Sequence, residues 1–154
     1  MSKAAEILAS LGDDSIPSIY RRIRAQRTRS HMLDLPARVS NAEIQFTLLG
    51  IELKVGRRRF ACPDLSTARY LRVFSRLGCG EFAIPYDISQ VSAVADELET
   101  SWHRTLLMLA GGQATRPQPR QISAVIKLIR EEITAIGPGD AMPVFDRKTR
   151  NSQS

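Results

Sequence analysis

Long apolar runs are missing from this chain. No stretch approaches the roughly 18 residues a membrane-crossing helix needs, which sets a membrane partner aside. Cysteine is nearly absent as well. Cys62 and Cys79 are the only two, too few for a disulfide scaffold, so both read as small buried apolar residues. A zinc site would have to gather them with His31 and His103, the only histidines, without the paired spacing such sites show, and no metal is expected. Aromatics make up 6% of the residues, leaving few rings for base stacking. Helix-turn-helix spacing, zinc-finger spacing and the glycine-aromatic RNA-recognition signature are all lacking. Gly78-Cys79-Gly80 has neither the further glycine nor the helix of a dinucleotide-binding loop; it reads as a helix terminator, and no cofactor is expected. Glu6, Asp13 and Asp14 stand where a secretory or transit leader would be basic and acid-free, so the expected location is the cytoplasm.

Arginine, by contrast, is abundant. Eighteen arginines against four lysines carry a net charge of +6. The planar guanidinium fork suits phosphate and carboxylate oxygens, although a GC-rich coding sequence produces the same bias. The stretch YRRIRAQRTR, residues 20–29, holds Arg21, Arg22, Arg24, Arg27 and Arg29 and no acid. From Lys54 to Arg76, seven basic residues (Lys54, Arg57, Arg58, Arg59, Arg69, Arg72, Arg76) stand against Asp64, a local +6. From Glu81 to His103, five acids (Glu81, Asp87, Asp96, Glu97, Glu99) meet no Lys or Arg, a local −5. Electrically distinct sides are the expectation.

The length and the 43% hydrophobic fraction fit one domain with a helical extension. KAAEILASL predicts a short helix ended by Gly12. Ser15 then caps a second helix with Pro17 in its first turn, running through the arginines to Arg29. Its apolar side, Ile16, Ile19, Tyr20 and Ile23, runs out before the last arginines, and that half has no face to bury. Alternation over Ile44, Phe46 and Leu48, then Ile51, Leu53 and Val55, predicts a strand with a bend at Leu49-Gly50. Gly56-Arg57 reads as a two-residue hairpin turn returning the strand RRFAC.

Asp64 or Ser66 caps a helix through LSTARYLRVFSRL that Gly78 closes, and EFAIP is a third strand. Asp87 and Gln90 resemble a capping box for a long helix from Ile88 to about Ala110. After the linker GGQATRPQP a last helix carries Ile122, Val125, Ile126, Ile129, Ile133 and Ile136 in one narrow stripe, ended by Gly137-Pro138. The predicted fold is therefore α+β: a small mixed three-stranded sheet (β-β-α-β) packed by two C-terminal helices, with a parallel crossover. Residues 1–38 form a basic helical arm, 39–137 the core and 138–154 a disordered tail.

Arg69, Arg72 and Arg76, three and four apart, fall within about 60° on a helical wheel, opposite Tyr70, Phe74 and Leu77. With Arg57, Arg58 and Arg59 on the same side they would line one surface. Added to the arm's arginines, that is the footprint of a phosphate-backbone binder. Cys62-Pro63-Asp64 at a strand-to-helix junction is the one candidate nucleophile, with no second catalytic group in view; Asp64 reads as a cap and no catalysis is expected. The expected function is a non-catalytic basic accessory protein binding nucleic acid, with RNA or a ribonucleoprotein favoured over DNA. The alternative is a protein-protein adaptor, or a homodimer, using the C-terminal helices or the bipolar charge to meet a partner.

Overall fold

Ser2 opens the first helix, α1 (Lys3–Leu11), by accepting the Ala5 N–H at 3.1 Å, and Gly12 at φ 55° ends it. The computed structural model describes residues 2–37, 41–111 and 116–140. A short 3-10 turn leads to Ser15, whose hydroxyl caps α2 (Ile16–Arg24), with Pro17 in the first turn as predicted. Here the sequence reading needs correcting. Helix α2 stops at Arg24, and Thr28–Met32 forms a strand, β1, in place of the predicted last helical turns. The apolar face ends at Ile23, so nothing anchors a further turn, whereas an extended backbone finds a hydrogen-bonding partner elsewhere in the chain.

The alternating segment is two strands, not one. Strands β2 (Ala42–Thr47), β3 (Gly50–Val55) and β4 (Arg58–Cys62) form an antiparallel sheet in that order, with turns at Leu48-Leu49 and Gly56-Arg57. The Thr47 hydroxyl accepts the Leu49 N–H at 3.2 Å and donates to the Gly50 carbonyl at 3.0 Å, closing a turn that has no Asn-Gly signature. Helix α3 (Leu65–Arg76), capped by the Asp64 carboxylate on the Thr67 N–H at 2.7 Å and closed by Gly78 at φ 73°, packs on this sheet. The apolar face beneath it includes Ala42, Leu53, Val55 and Cys62.

Strand β5 (Glu81–Pro85) pairs antiparallel with β1, from Thr28 opposite Pro85 to Met32 opposite Glu81. The predicted mixed sheet with a parallel crossover is thus replaced by two antiparallel sheets. The other edge of β5 is occupied as well. Ala83 donates its N–H to the Tyr20 hydroxyl at 2.8 Å and accepts the Tyr70 hydroxyl at 2.6 Å on its carbonyl. Tyr20 in turn donates to the Gly137 carbonyl at 2.7 Å. Two buried tyrosines therefore satisfy backbone groups that a third strand would otherwise take. Phe82 stacks on Phe74 with ring centroids 4.3 Å apart, and Tyr20 meets Phe74 edge-on at 5.7 Å, joining α2, α3 and β5 in one aromatic core.

A 3-10 turn over Ile88–Gln90 precedes α4 (Val91–Leu109), and Asp87 accepts from Ser89 rather than forming the predicted box with Gln90. Helix α5 (Pro119–Ile136) buries Val125, Ile129 and Ile133, and packs on α1, α2 and α4. It is α3 that covers the three-stranded sheet, while the two C-terminal helices pack with other helices. The predicted N-terminal arm also belongs to the core, through Ile16, Tyr20 and Ile23. After α5 the chain lies along β1: Ser30 donates its N–H to the Asp140 carbonyl at 2.8 Å. A Cβ on Gly139 would stand 2.6 Å from the Arg29 carbonyl, so only glycine permits this approach. Gly139 and Asp140 are thus placed, while 141–154 of the predicted tail lie outside the described residues. Among the described residues no helix is long and apolar enough to cross a membrane.

Candidate anion-binding cleft

The arginines singled out in the sequence divide into those with carboxylate partners and those without. On α2, Arg21 pairs with Glu132 of α5 at 2.8 Å and Arg22 with Glu97 of α4 at 3.3 Å; Arg24 approaches Asp140 at 3.9 Å. In the hairpin region Arg58 binds Asp34 at 2.7 Å and donates to the Asp34 and Leu35 carbonyls, while Arg59 lies 3.9 Å from Glu52. On α3, Arg69 bonds both Asp96 and Glu99, and Arg72 reaches Glu99 at 3.1 Å. The exposed pairs among these, such as Arg21–Glu132 and Arg22–Glu97, contribute little to stability, about 0–1 kcal/mol each, but they occupy the guanidinium donors.

The predicted separation of charge into two sides is therefore corrected. The basic face of α3 and the acidic stretch of α4 lie against each other, and half-buried guanidinium groups keep carboxylate partners. Burial alone raises the Glu99 carboxyl, but hydrogen bonds from Arg69 and Arg72 outweigh it and hold the group below its ordinary range. Arg69 is shifted the other way, up, by its hydrogen bonds to Glu99 and Asp96.

Arg27, Arg29, Arg57 and Arg76 have no carboxylate within ion-pair distance among the described residues. Arg27 lies over the exposed Tyr86 ring, 4.4 Å from its centroid. Arg29 sits in β1, next to the C-terminal segment. Arg76, one turn beyond Arg72, is half-buried; desolvation, then the nearby Arg72 charge, lowers its pKa.

Arg72 and Arg76 open onto a cavity of about 690 Å³ between α3 and α4. Trp102 and His103 of α4 line it, with Asn41 at the foot of β2 and Arg116 just before α5. The Asn41 carbonyl accepts the Gly56 N–H at 3.4 Å, which brings the Gly56-Arg57 turn to the rim. Arg72 and Arg76, 4 residues apart in sequence, are thereby gathered at one cleft, and Arg57 stands in the turn beside its Asn41 edge. Arg116 joins them without any warning in the sequence, where it is a lone base in a Gly- and Pro-rich linker.

The charge at this cleft is unbalanced. Arg72, Arg76 and Arg116 against Glu99 give three minus one, or +2. A second cavity, about 410 Å³ between α2 and α4, sets Asp14, Asp96 and Glu97 against Arg22 and Arg104, two minus three, or −1. Only the first has positive charge to spare.

The thiols are not activated. Burial pushes Cys62 up, and pushes Cys79 up to about 12. Both are expected to resist iodoacetamide in the native protein at pH 7.5 and to react fully in denaturant; rapid native alkylation of Cys62 would contradict this burial. Because burial penalises the thiolate, the fold loses stability as pH rises above the unfolded thiol value of about 8.5, and at Cys79 that loss continues up to about 12. Burial, then Arg29, lowers His31, which packs on Phe82 with centroids 5.7 Å apart. Among the described residues no three His, Cys, Asp or Glu side chains come together as metal ligands. No protein-family model matches the chain, and neither a curated protein nor a solved structure matches it significantly.

Proposed function

We propose that the protein is a non-catalytic accessory factor that binds single-stranded RNA in the cleft between α3 and α4. The observation that carries this reading is the surplus of guanidinium groups there: Arg76 and Arg116 line the cleft with no carboxylate partner among the described residues, Arg57 stands in the turn beside it, and Trp102 offers a half-buried ring. Guanidinium groups bind phosphate oxygens through paired N–H donors, and an aromatic face accepts any base. A cleft of this size admits an unpaired nucleotide but not a duplex, which favours RNA presented as a single strand. Arg21, Arg22, Arg24, Arg58, Arg59, Arg69 and Arg72 serve chiefly to hold elements together through their acidic partners, and Arg27 and Arg29 extend the basic surface elsewhere. Titration of a labelled single-stranded RNA into the wild type and into variants of Arg57 and Arg76, at several salt concentrations, tests the reading.

The adaptor alternative shifts its ground. The isoleucine stripe of α5 is covered within the chain, whereas Phe46, Leu48 and Leu49 stand exposed at the β2–β3 turn, Leu48 and Leu49 completely.

A further inference from the structure

We infer that the cleft is selective for a phosphate monoester, the terminal phosphate of a nucleotide, over the diesters that link nucleotides within a strand. This rests on the nucleic-acid reading of the same cleft and adds to it which phosphate is bound.

Charge is the first reason. The surplus of +2 that Arg72, Arg76 and Arg116 leave against Glu99 matches a monoester, which carries about −1.5 to −2 near neutral pH. An internal diester carries a single negative charge and would leave half of the surplus uncompensated. Donor supply is the second reason. Arg76 makes no hydrogen bond or ion pair among the described residues, and the Nε of Arg72 is buried without a partner even though its Nη2 is bonded to Glu99. A monoester presents three oxygens free of chain linkages, whereas a diester presents two. The extra oxygen gives converging guanidinium groups another acceptor.

Shape is the third. Val73, Leu77 and Leu106 line the cavity with Trp102, so apolar surface lies beside the cationic end. A phosphate at the arginines and a base on the indole would use both, and about 690 Å³ falls within the range of pockets that enclose small ligands. Glu99 also lines the cavity, but Arg69 and Arg72 already hold its carboxylate.

The test compares four probes on the full chain by anisotropy and competition: an eight-nucleotide RNA with a terminal phosphate, the same RNA with hydroxyl ends, adenosine monophosphate and inorganic phosphate. The phosphorylated RNA is expected to bind at least about 10-fold tighter than the hydroxyl form, with adenosine monophosphate competing better than inorganic phosphate. Arg76→Gln and Arg116→Gln should each remove most of that preference while leaving the melting temperature unchanged, since neither residue has an ion-pair partner among the described residues. Equal affinity for the two RNAs overturns the monoester inference and leaves the RNA reading standing. Binding of adenosine monophosphate with no binding of either RNA supports the monoester site and overturns the RNA reading, because the source is then a free nucleotide. No binding of any probe overturns both.

Discussion

Tyr20→Phe is expected to destabilise the fold by about 2–4 kcal/mol, although it removes one oxygen and keeps the ring. That oxygen accepts the Ala83 N–H and donates to the Gly137 carbonyl, so its loss strands a donor on β5 and an acceptor after α5. A buried polar group left unsatisfied costs about 1–3 kcal/mol. Desolvation raises the Tyr20 pKa, so the hydroxyl stays protonated and able to donate across the neutral range. Tyr70→Phe strands only the Ala83 carbonyl and should cost less, about 1–2 kcal/mol. Urea denaturation of both variants measures the difference. A Tyr20→Phe loss below about 0.5 kcal/mol would mean that the hydroxyl does not tie β5 to the C-terminal segment.

The double variant Arg57→Ala, Arg76→Ala is expected to lose about 100-fold in affinity for single-stranded RNA. Hydrogen bonds to charged groups contribute about 1.5–3 kcal/mol each, close to 10-fold or more per residue. Each phosphate contact on a single strand also adds about 0.7 to the slope of log affinity against log salt, so the slope should fall by about 1.4. The paired arginines supply the contrast. Arg21→Ala and Arg22→Ala should change RNA affinity by no more than about 2-fold, because Glu132 and Glu97 already occupy their guanidinium groups and surface pairs of this kind carry little net energy. If instead the α2 variants abolish binding and the cleft variants do not, the basic stretch at residues 20–29 is the grip and the cleft is not.

What was legible in the sequence was local. Caps act within three residues, so Ser15 on the Ser18 N–H and Asp64 on the Thr67 N–H could be read directly, as could glycine at the Gly56 turn and after α3. The isoleucine stripe of α5 likewise announced its buried face. Strand β1 could not be read, because Thr28–Met32 has no apolar alternation; its pairing with β5 is decided by a segment 49 to 57 residues away. The bend at Leu49-Gly50 proved to be a hairpin turn whose two leucines carry none of the usual turn residues.

The site followed the same division. Helical spacing placed Arg69, Arg72 and Arg76 on one face of α3, but it said nothing of what that face meets. Arg69 finds Glu99 30 residues onward, and the Tyr20 hydroxyl finds Ala83 63 residues onward, contacts set by helix packing and not by local pattern. Seven of the eleven arginines predicted as a phosphate grip (Arg21, Arg22, Arg24, Arg58, Arg59, Arg69, Arg72) therefore face carboxylates of their own chain. Net charge measures only the sum, and the sum hides which charges are already matched.

The measurement that tests the cleft most directly is photocrosslinking of a 4-thiouridine RNA to the full chain, with the attachment site read by peptide mass spectrometry. The account predicts attachment within the peptide spanning residues 77–104, localised to Trp102 or its neighbours and lost in Arg57→Ala, Arg76→Ala. Crosslinks confined to α2 or to the β2–β3 turn, with Trp102 untouched, would contradict it.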